Sequence, residues 1–439
     1  MGLSPMDILN PVGEWIEWLT RRPEVPKKDN ALRFGILGAA KIAPQALIIP
    51  ARSHAEVIVA AVAARDVKKA ELFAKKYGIP IVHKTYDDLI SDPAIDCIYN
   101  PLPNGLHYEW TLKALKAGKH VLLEKPATSN AEEAKDLFRN SVLSGPNAPV
   151  LLEARHYQFH PAWHTFLSLF DPKDVEEASA RAAIPALLFA LDDIRFNYAL
   201  AGGTLMDLGP YPLSALRSIF GAEPLSVTSA TPRLMPASLD QKCDHAMQAT
   251  YSFPDGGVGH ILCDLGSRVQ YEKGKGSWWA WLFAGRPDFT TDMPPWATVK
   301  LRAKNGLENE LAITTQKTIV MNNFMGPHVW HRIDINTTTT YRDTAGIVVR
   351  EEKHTESKKA YVWPEGQGGD VKGEDFWSTY RYMLEAFVDG VKGRKGSGVW
   401  LDGEESIRQM EAIDETYLKA GMALRPTSEV LRPLRTAGN

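Results

Sequence analysis

The chain has 439 residues, 44% of them hydrophobic and 23% charged, with a formal net charge of −3. That length exceeds one ordinary domain and fits two with full cores, while the charge balance gives no basic excess for a nucleic-acid partner. The three dispersed cysteines, Cys97, Cys243 and Cys263, lack metal-type clustering, so no metal is expected and a reducing, cytoplasmic setting is.

Residues 1–30 read as an extension. Ile8, Leu9, Trp15, Ile16, Trp18 and Leu19 fall on a rough helical stripe, and the polar, proline-broken stretch 21–30 follows as a linker. A docked amphipathic helix and a membrane-surface helix both fit the stripe; the missing basic face favours the first. No apolar run reaches the length of a membrane span, so no membrane partner is expected.

From Leu32 strand and helix signals alternate. Strands are expected at 33–37, 57–64, 81–82, 97–99, 121–123 and 150–153, and helices at 41–52, 67–77, 86–91, 106–117 and 130–140. Short β-branched strands alternating with helices predict a doubly wound α/β domain over 31–155, with a parallel sheet covered on both faces.

The first strand-to-helix turn, Gly38-Ala39-Ala40-Lys41-Ile42-Ala43, compares with a dinucleotide-binding turn. Gly38 would make the tight bend, Ala40 stands where a second glycine lets backbone approach a pyrophosphate, and Ala43 permits close helix packing. After the second strand the chain offers Arg65 in place of an acidic ribose ligand, with Lys69 one helical turn on. A guanidinium fork and a second cation suit a 2′-phosphate, which favours NADP(H) over NAD(H); a helix start capped by Asp66 with solvated lysines explains the same residues. Asn100-Pro101-Leu102-Pro103-Asn104 forms a stiff loop able to border a nicotinamide, and His107 suits either that border or a helix start. The run Ala117–Pro126 places Glu124 and Lys125 directly behind an apolar strand, at the sheet edge where open α/β folds bind ligands.

GILGAAKIA, AVAARD, PLPNGLH, AGKHVLLEKP, LLEARHYQFHP and AGGTLMDLGPYPLSALR together resemble the Gfo/Idh/MocA oxidoreductases, closest to the NADP-dependent dimeric dihydrodiol dehydrogenases and D-xylose 1-dehydrogenases. The resemblance runs from about residue 31 to 425. It implies a second α+β domain, 156–425, with a large open, mostly antiparallel sheet that binds substrate and makes a homodimer, and a tail at 426–439. Strand character near 227–234, 245–253, 257–266 and 296–303, with helices near 374–391 and 402–420, is compatible with that. The aromatic run 278–283 and Trp296 suit a dimer surface, a pocket wall or ordinary core.

The same resemblance implies that Asp207 and Tyr211, four apart, face Lys125 from one helical turn. Tyr211, near an ammonium, is expected to have a lowered pKa and to exchange a proton with a substrate oxygen. Glu124 and Lys125 also border the cofactor, and Arg155, His156 and Gln158, where charge is distributed differently from relatives, are candidates for substrate binding; for Arg155 the alternative is a place against the cofactor or an acidic neighbour. The expected activity is hydride transfer between NADP(H) and a CH–OH or carbonyl group of a sugar, vicinal diol or cyclic small molecule. The alternatives are a catalytically silent dinucleotide-binding regulator and a non-redox enzyme that uses its nicotinamide structurally.

Overall fold

The computed structural model describes residues 24–185, 193–267 and 296–431. The helical stripe at 8–19 and the aromatic run 278–283 lie outside them.

Six strands form the first sheet: β1 (Leu32–Leu37), β2 (Val57–Ala63), β3 (Ile81–His83), β4 (Cys97–Asn100), β5 (His120–Leu123) and β6 (Leu151–Glu153). All pairings are parallel, in the order β3-β2-β1-β4-β5-β6. The order reverses between β1 and β4, which opens a crevice at the carboxyl ends of the central strands. Helices α2 (Val67–Tyr77), α3 (Tyr86–Ser91), α4 (His107–Lys116) and α5 (Ala131–Phe138) follow the strands as expected. The segment after β1 departs from a simple helix. Pro44–Ile48 forms a π turn before α1 (Ile49–Arg52), and Ile49 N–H reaches back to Pro44 O. Pro50 has no amide to donate to Ala46, so the hydrogen-bond ladder widens by one residue there.

The second sheet has nine strands: β7 (Val175–Pro185), β8 (Ser226–Leu234), β9 (Asp244–Ser252), β10 (Val258–Ser267), β11 (Trp296–Leu301), β12 (Lys304–Glu308), β13 (Leu311–Asn322), β14 (Arg332–Arg342) and β15 (Val348–Lys358). The order is β15-β14-β13-β11-β7-β10-β9-β8, with β12 added on β13. Its pairings are antiparallel except β7 with β10. Short helices α6 (Pro161–Leu167) and α7 (Thr204–Asp207) and the longer α8 (Pro210–Phe220) cover one face, where Leu213, Leu216 and Ile219 bury themselves with Ala178, Ala180 and Ile261.

Helix α9 (Thr379–Val391) starts five residues later than the sequence predicts, because Ser378 supplies the cap, accepting from Arg381 N. It packs into the core of the first sheet: Met383, Phe387 and Val388 join Phe34, Leu122 and Ala154, and the Phe34 and Phe387 rings lie 5.7 Å apart. Helix α10 (Gly403–Lys419) packs against α5 and α8. Among the described residues no helix is long and apolar enough to cross a membrane, and no group of three His, Cys, Asp or Glu side chains could hold a metal ion.

Candidate active site

The glycine turn after β1 is built as a close-approach bend. Gly38 has φ +87°, its N–H donates to Ala63 O at 2.6 Å, and a side chain there would come within 3.1 Å of Leu102. Ala39, Ala40 and Ile42 are half-buried beside it and Lys41 is exposed. Arg65 and Lys69 are both exposed at the end of β2 and the start of α2, where Asp66 caps the helix by accepting from Lys69 N at 3.3 Å. Tyr86 stands against the same corner, near the Arg65 backbone, and burial raises its phenol above the ordinary range.

The Asn-Pro loop is braced from within. Asn100 is buried; its amide donates to Thr111 Oγ1 at 2.9 Å and His107 O at 3.3 Å and accepts from Leu102 N. The His107 ring is wedged between two carbonyls, Nδ1 2.8 Å from Pro126 O and Nε2 2.7 Å from Leu102 O, and burial pushes its pKa down to about 4. Both side chains were candidate cofactor contacts; instead their polar atoms are taken up in holding buried Pro101 and Leu102 against the Glu-Lys-Pro turn. Asn104 donates to Ala201 O at 3.1 Å, joining this loop to the residues before α7.

At the end of β5, Glu124 is buried, accepts from Tyr99 OH at 2.7 Å, and has its pKa raised by burial against the opposing pull of Lys125. The Lys125–Pro126 bond is cis. Lys125 Nζ donates to Asp207 O at 2.7 Å and Asp207 Oδ1 at 3.0 Å, while Arg195 Nε donates to Asp207 Oδ2 at 2.8 Å. Burial pushes the Asp207 carboxyl up, but Arg195 and then Lys125 outweigh it and hold the group well below the usual carboxylate range. Asp207 and Tyr211 do not share a helical turn. Asp207 closes α7 and Tyr211 is the second residue of α8, with Leu208-Gly209 between the two helices and Pro210 at the first position of α8.

Tyr211 is 5% exposed, with Lys125 Nζ over its ring at 5.2 Å from the centroid. Its hydroxyl lies 3.2 Å from His156 Nε2, and His156 Nδ1 lies 2.8 Å from Thr379 Oγ1. The His156 ring stacks on Tyr380 at 4.0 Å between centroids. Burial raises the Tyr211 pKa well above that of free tyrosine, and Tyr380, Glu124 and Asp207 add to it. The expected lowering is thus reversed: the ammonium faces the ring rather than the oxygen, and its charge is countered by Asp207. Burial also holds His156 well below the ordinary imidazole range, with His328 and Lys125 adding to it. Either neutral tautomer satisfies both contacts, because the Thr379 and Tyr211 hydroxyls can each donate or accept.

Arg155 does not reach this site. It has no exposed surface; its guanidinium lies 3.2 Å from Glu153 and 2.9 Å from Glu405, and Glu405 also accepts from Arg217. The ion-pair network ties β6 to α8 and α10, so the expected substrate contact becomes a strut between them. Gln158 also turns away, donating to Ser218 Oγ at 3.1 Å. His156 is the member of that trio that meets Tyr211. Sequence reading missed Arg195, Thr379 and Tyr380: Arg195 sits in a short 3-10 turn, Ile194–Phe196, 12 residues before Asp207, and Thr379 and Tyr380 lie more than 160 residues after Tyr211.

Residues 32–142 match the oxidoreductase family with NAD-binding Rossmann fold named GFO_IDH_MocA, and residues 175–281 match its C-terminal domain. Trans-1,2-dihydrobenzene-1,2-diol dehydrogenase of Mus musculus is 32% identical over 242 residues, which are 54% of this chain and 70% of that protein. The chain belongs to the Gfo/Idh/MocA oxidoreductase family. A further family member, D-xylose 1-dehydrogenase (NADP(+)) 2 of Haloferax volcanii, is 38% identical over 195 residues, 43% of this chain and 58% of that protein. The chain thus spans little more than half of some of the curated relatives it matches. A 3-ketoreductase from Actinomadura kijaniata, solved with NADP and TDP-benzene, shares the fold at TM-score 0.60 and 21% identity, over 88% of this chain and 96% of that one. In this Gfo/Idh/MocA chain, the side-chain-free bend at Gly38 and the open corner beside Arg65 fit a nicotinamide dinucleotide.

Proposed function

We propose that the protein is an NADP(H)-dependent oxidoreductase that interconverts a CH–OH and a carbonyl group on a sugar, vicinal diol or cyclic small molecule. The observation that carries this reading is the ammonium of Lys125, fixed by Asp207 at the carboxyl edge of the parallel sheet and beside the Tyr211 phenol. A bound nicotinamide supplies the hydride chemistry. The Gly38–Ile42 turn would hold its pyrophosphate, and Arg65 and Lys69 would take the 2′-phosphate; the exposed cations at the end of β2 and the relative named for NADP support that preference.

Lys125 has three N–H donors, of which Asp207 takes two, leaving the third for the reacting oxygen. Tyr211, neutral and buried, gives its proton to that oxygen during reduction, and the reverse transfer serves oxidation. His156, with its proton on Nε2, donates to the Tyr211 oxygen and so leaves the phenolic proton free for the substrate, while its Nδ1 accepts from the Thr379 hydroxyl. A homodimer through the second sheet is part of the proposal, supported by the exposed run Ile347, Val348 and Val349 leading into β15; light scattering of the purified protein tests it.

The test of the chemistry is to mix the protein with NADP⁺ or NADPH and a panel of pentoses, vicinal diols and cyclic ketones and follow reduced-cofactor absorbance. Lys125→Met and Tyr211→Phe are each expected to lower kcat by on the order of 10² or more while the cofactor Kd stays within threefold. Tight NADPH binding with no turnover across the panel would overturn the enzymatic reading.

A further inference from the structure

The reduction proposed above leaves Tyr211 as a phenolate once its proton has gone to the substrate oxygen, and Tyr211 is only 5% exposed. It has to be reprotonated before the next turnover. Four of its described neighbours are closed to that task. The Lys125 ammonium lies over the ring, 5.2 Å from its centroid, and donates twice to Asp207. Asp207, between Lys125 and Arg195, is held ionised and has no proton to give. The Glu124 oxygens accept from Tyr99 OH and Lys125 N. His156 bonds the Tyr211 oxygen, but its other nitrogen leads to Thr379, which has no exposed surface, so that chain ends inside the protein.

Tyr380 is placed differently. It is the second residue of α9, behind the Ser378 cap, and it is half-buried where Tyr211 is buried. Its ring stacks on His156 at 4.0 Å between centroids and 30° between planes, and its side chain hydrogen-bonds that of Tyr211. The two phenols therefore share one brace, the His156 ring, which meets the Tyr211 hydroxyl with its edge and Tyr380 with its face. A phenolic oxygen both donates and accepts, so a proton can pass along this contact in either direction. Burial raises both phenols above free tyrosine, so neither is left as the much stronger acid that would trap the proton on its neighbour.

We propose that Tyr380 is a relay residue that reloads Tyr211 with a proton between turnovers. After the Tyr211 O–H bond has broken in favour of the substrate oxygen, the Tyr380 O–H bond breaks as a new one forms on Tyr211, and Tyr380 takes its replacement proton from solvent. One solvent proton is consumed for each carbonyl reduced, and oxidation runs the same chain outward. Tyr380 acts through Tyr211 and not on the substrate. The inference rests on the activity proposed above and adds to it the path by which the buried site exchanges protons with water.

The test uses full-length protein and the panel carbonyl that wild type reduces fastest with NADPH, or the carbonyl product of the panel alcohol it oxidises fastest. NADPH-loaded protein is mixed rapidly with the carbonyl, and reduced-cofactor absorbance is followed through the first and later turnovers. Tyr380→Phe keeps the ring that stacks on His156 and removes only the hydroxyl. It is expected to leave the first turnover within about threefold of wild type, since Tyr211 starts protonated, and to lower the steady rate about tenfold or more. Imidazole, a small proton donor, is expected to bring the steady rate of Tyr380→Phe back toward that of wild type. A first turnover slowed in step with the steady rate would make Tyr380 a structural wall and overturn the relay. An unchanged steady rate, or a slowed one that imidazole does not restore, would overturn it too. If wild type turns over nothing, the proposed activity fails and the relay with it; if wild type turns over and Tyr380→Phe matches it, the relay alone fails.

Discussion

Replacing Asp207 with Asn would test the arrangement at its most charged point. The carboxylate accepts from Lys125 at 3.0 Å and from Arg195 at 2.8 Å, with side-chain exposures of 13%, 32% and 17% for Lys125, Arg195 and Asp207. Hydrogen bonds to charged groups contribute about 1.5–3 kcal/mol each, and partial exposure of Arg195 places that contact at the low end. Asn keeps one acceptor of the right shape and leaves the bond from Lys125 to the 207 carbonyl intact, but loses the charge and sets two cations against each other. A destabilisation of about 2 kcal/mol follows, together with a kcat/KM lower by about 30- to 100-fold as Lys125 loses its bearing. The pH dependence carries a sign. The folded Asp207 pKa is depressed, so its stabilisation is present above the unfolded value near ~4 and is lost as pH falls through the folded one. The stability gap between wild type and Asp207→Asn, measured by urea denaturation, should therefore hold at pH 7 and narrow below about pH 4. Turnover within twofold of wild type and an unchanged urea midpoint at pH 7 would refute the reasoning.

Arg65→Ala should raise the Kd for NADPH about tenfold or more while leaving that for NADH within about twofold, read by nucleotide fluorescence titration, if the charge serves the 2′-phosphate as proposed. Equal loss for both nucleotides would place Arg65 elsewhere. Asp414 accepts from Ala131 N at 2.8 Å and is buried between α10 and α5, where burial pushes its pKa up to about 7. Its stabilisation is therefore complete below the unfolded value near ~4 and lost as pH rises through about 7, a change of about 4 kcal/mol at most. Asp414→Asn should flatten the stability profile over that window; a parallel profile would show that the carboxyl ionises there without cost.

The doubly wound sheet was legible because its strands are short, mostly apolar runs, three of them (β1, β3 and β4) bounded directly by Gly, Pro or Asp, and β–α alternation is a local signal that survives without knowledge of partners. Lys125 could be placed at the sheet edge for the same reason. Its meeting with Asp207 spans 82 residues and came only through likeness to a family, not from any spacing in the chain. Arg155 shows what local reading lacks. A charged residue at a strand end looks like a ligand until Glu405, 250 residues later, fills the space beside it. Tyr211 failed in a different way: an ammonium nearby predicts a lowered pKa, but burial first of all, then the countercharge of Asp207 and the orientation of the ammonium over the ring, are three-dimensional quantities that reverse the sign. Tyr380 and Thr379 left no signal, since nothing in TYRYMLEAF separates a residue facing His156 from one facing the core.

The docking of α9 into the first sheet has a bearing on how the chain is made. Strands β1 to β6 leave the ribosome by residue 153, yet Met383, Phe387 and Val388, which complete their core, follow some 230 residues later. At about 5–20 residues per second, that interval is on the order of 10–50 s. During it the apolar face around Phe34 and Leu122 is left to solvent or to a chaperone. The core of the first sheet and the Thr379–Tyr380 wall beside His156 are thus completed by one and the same late segment.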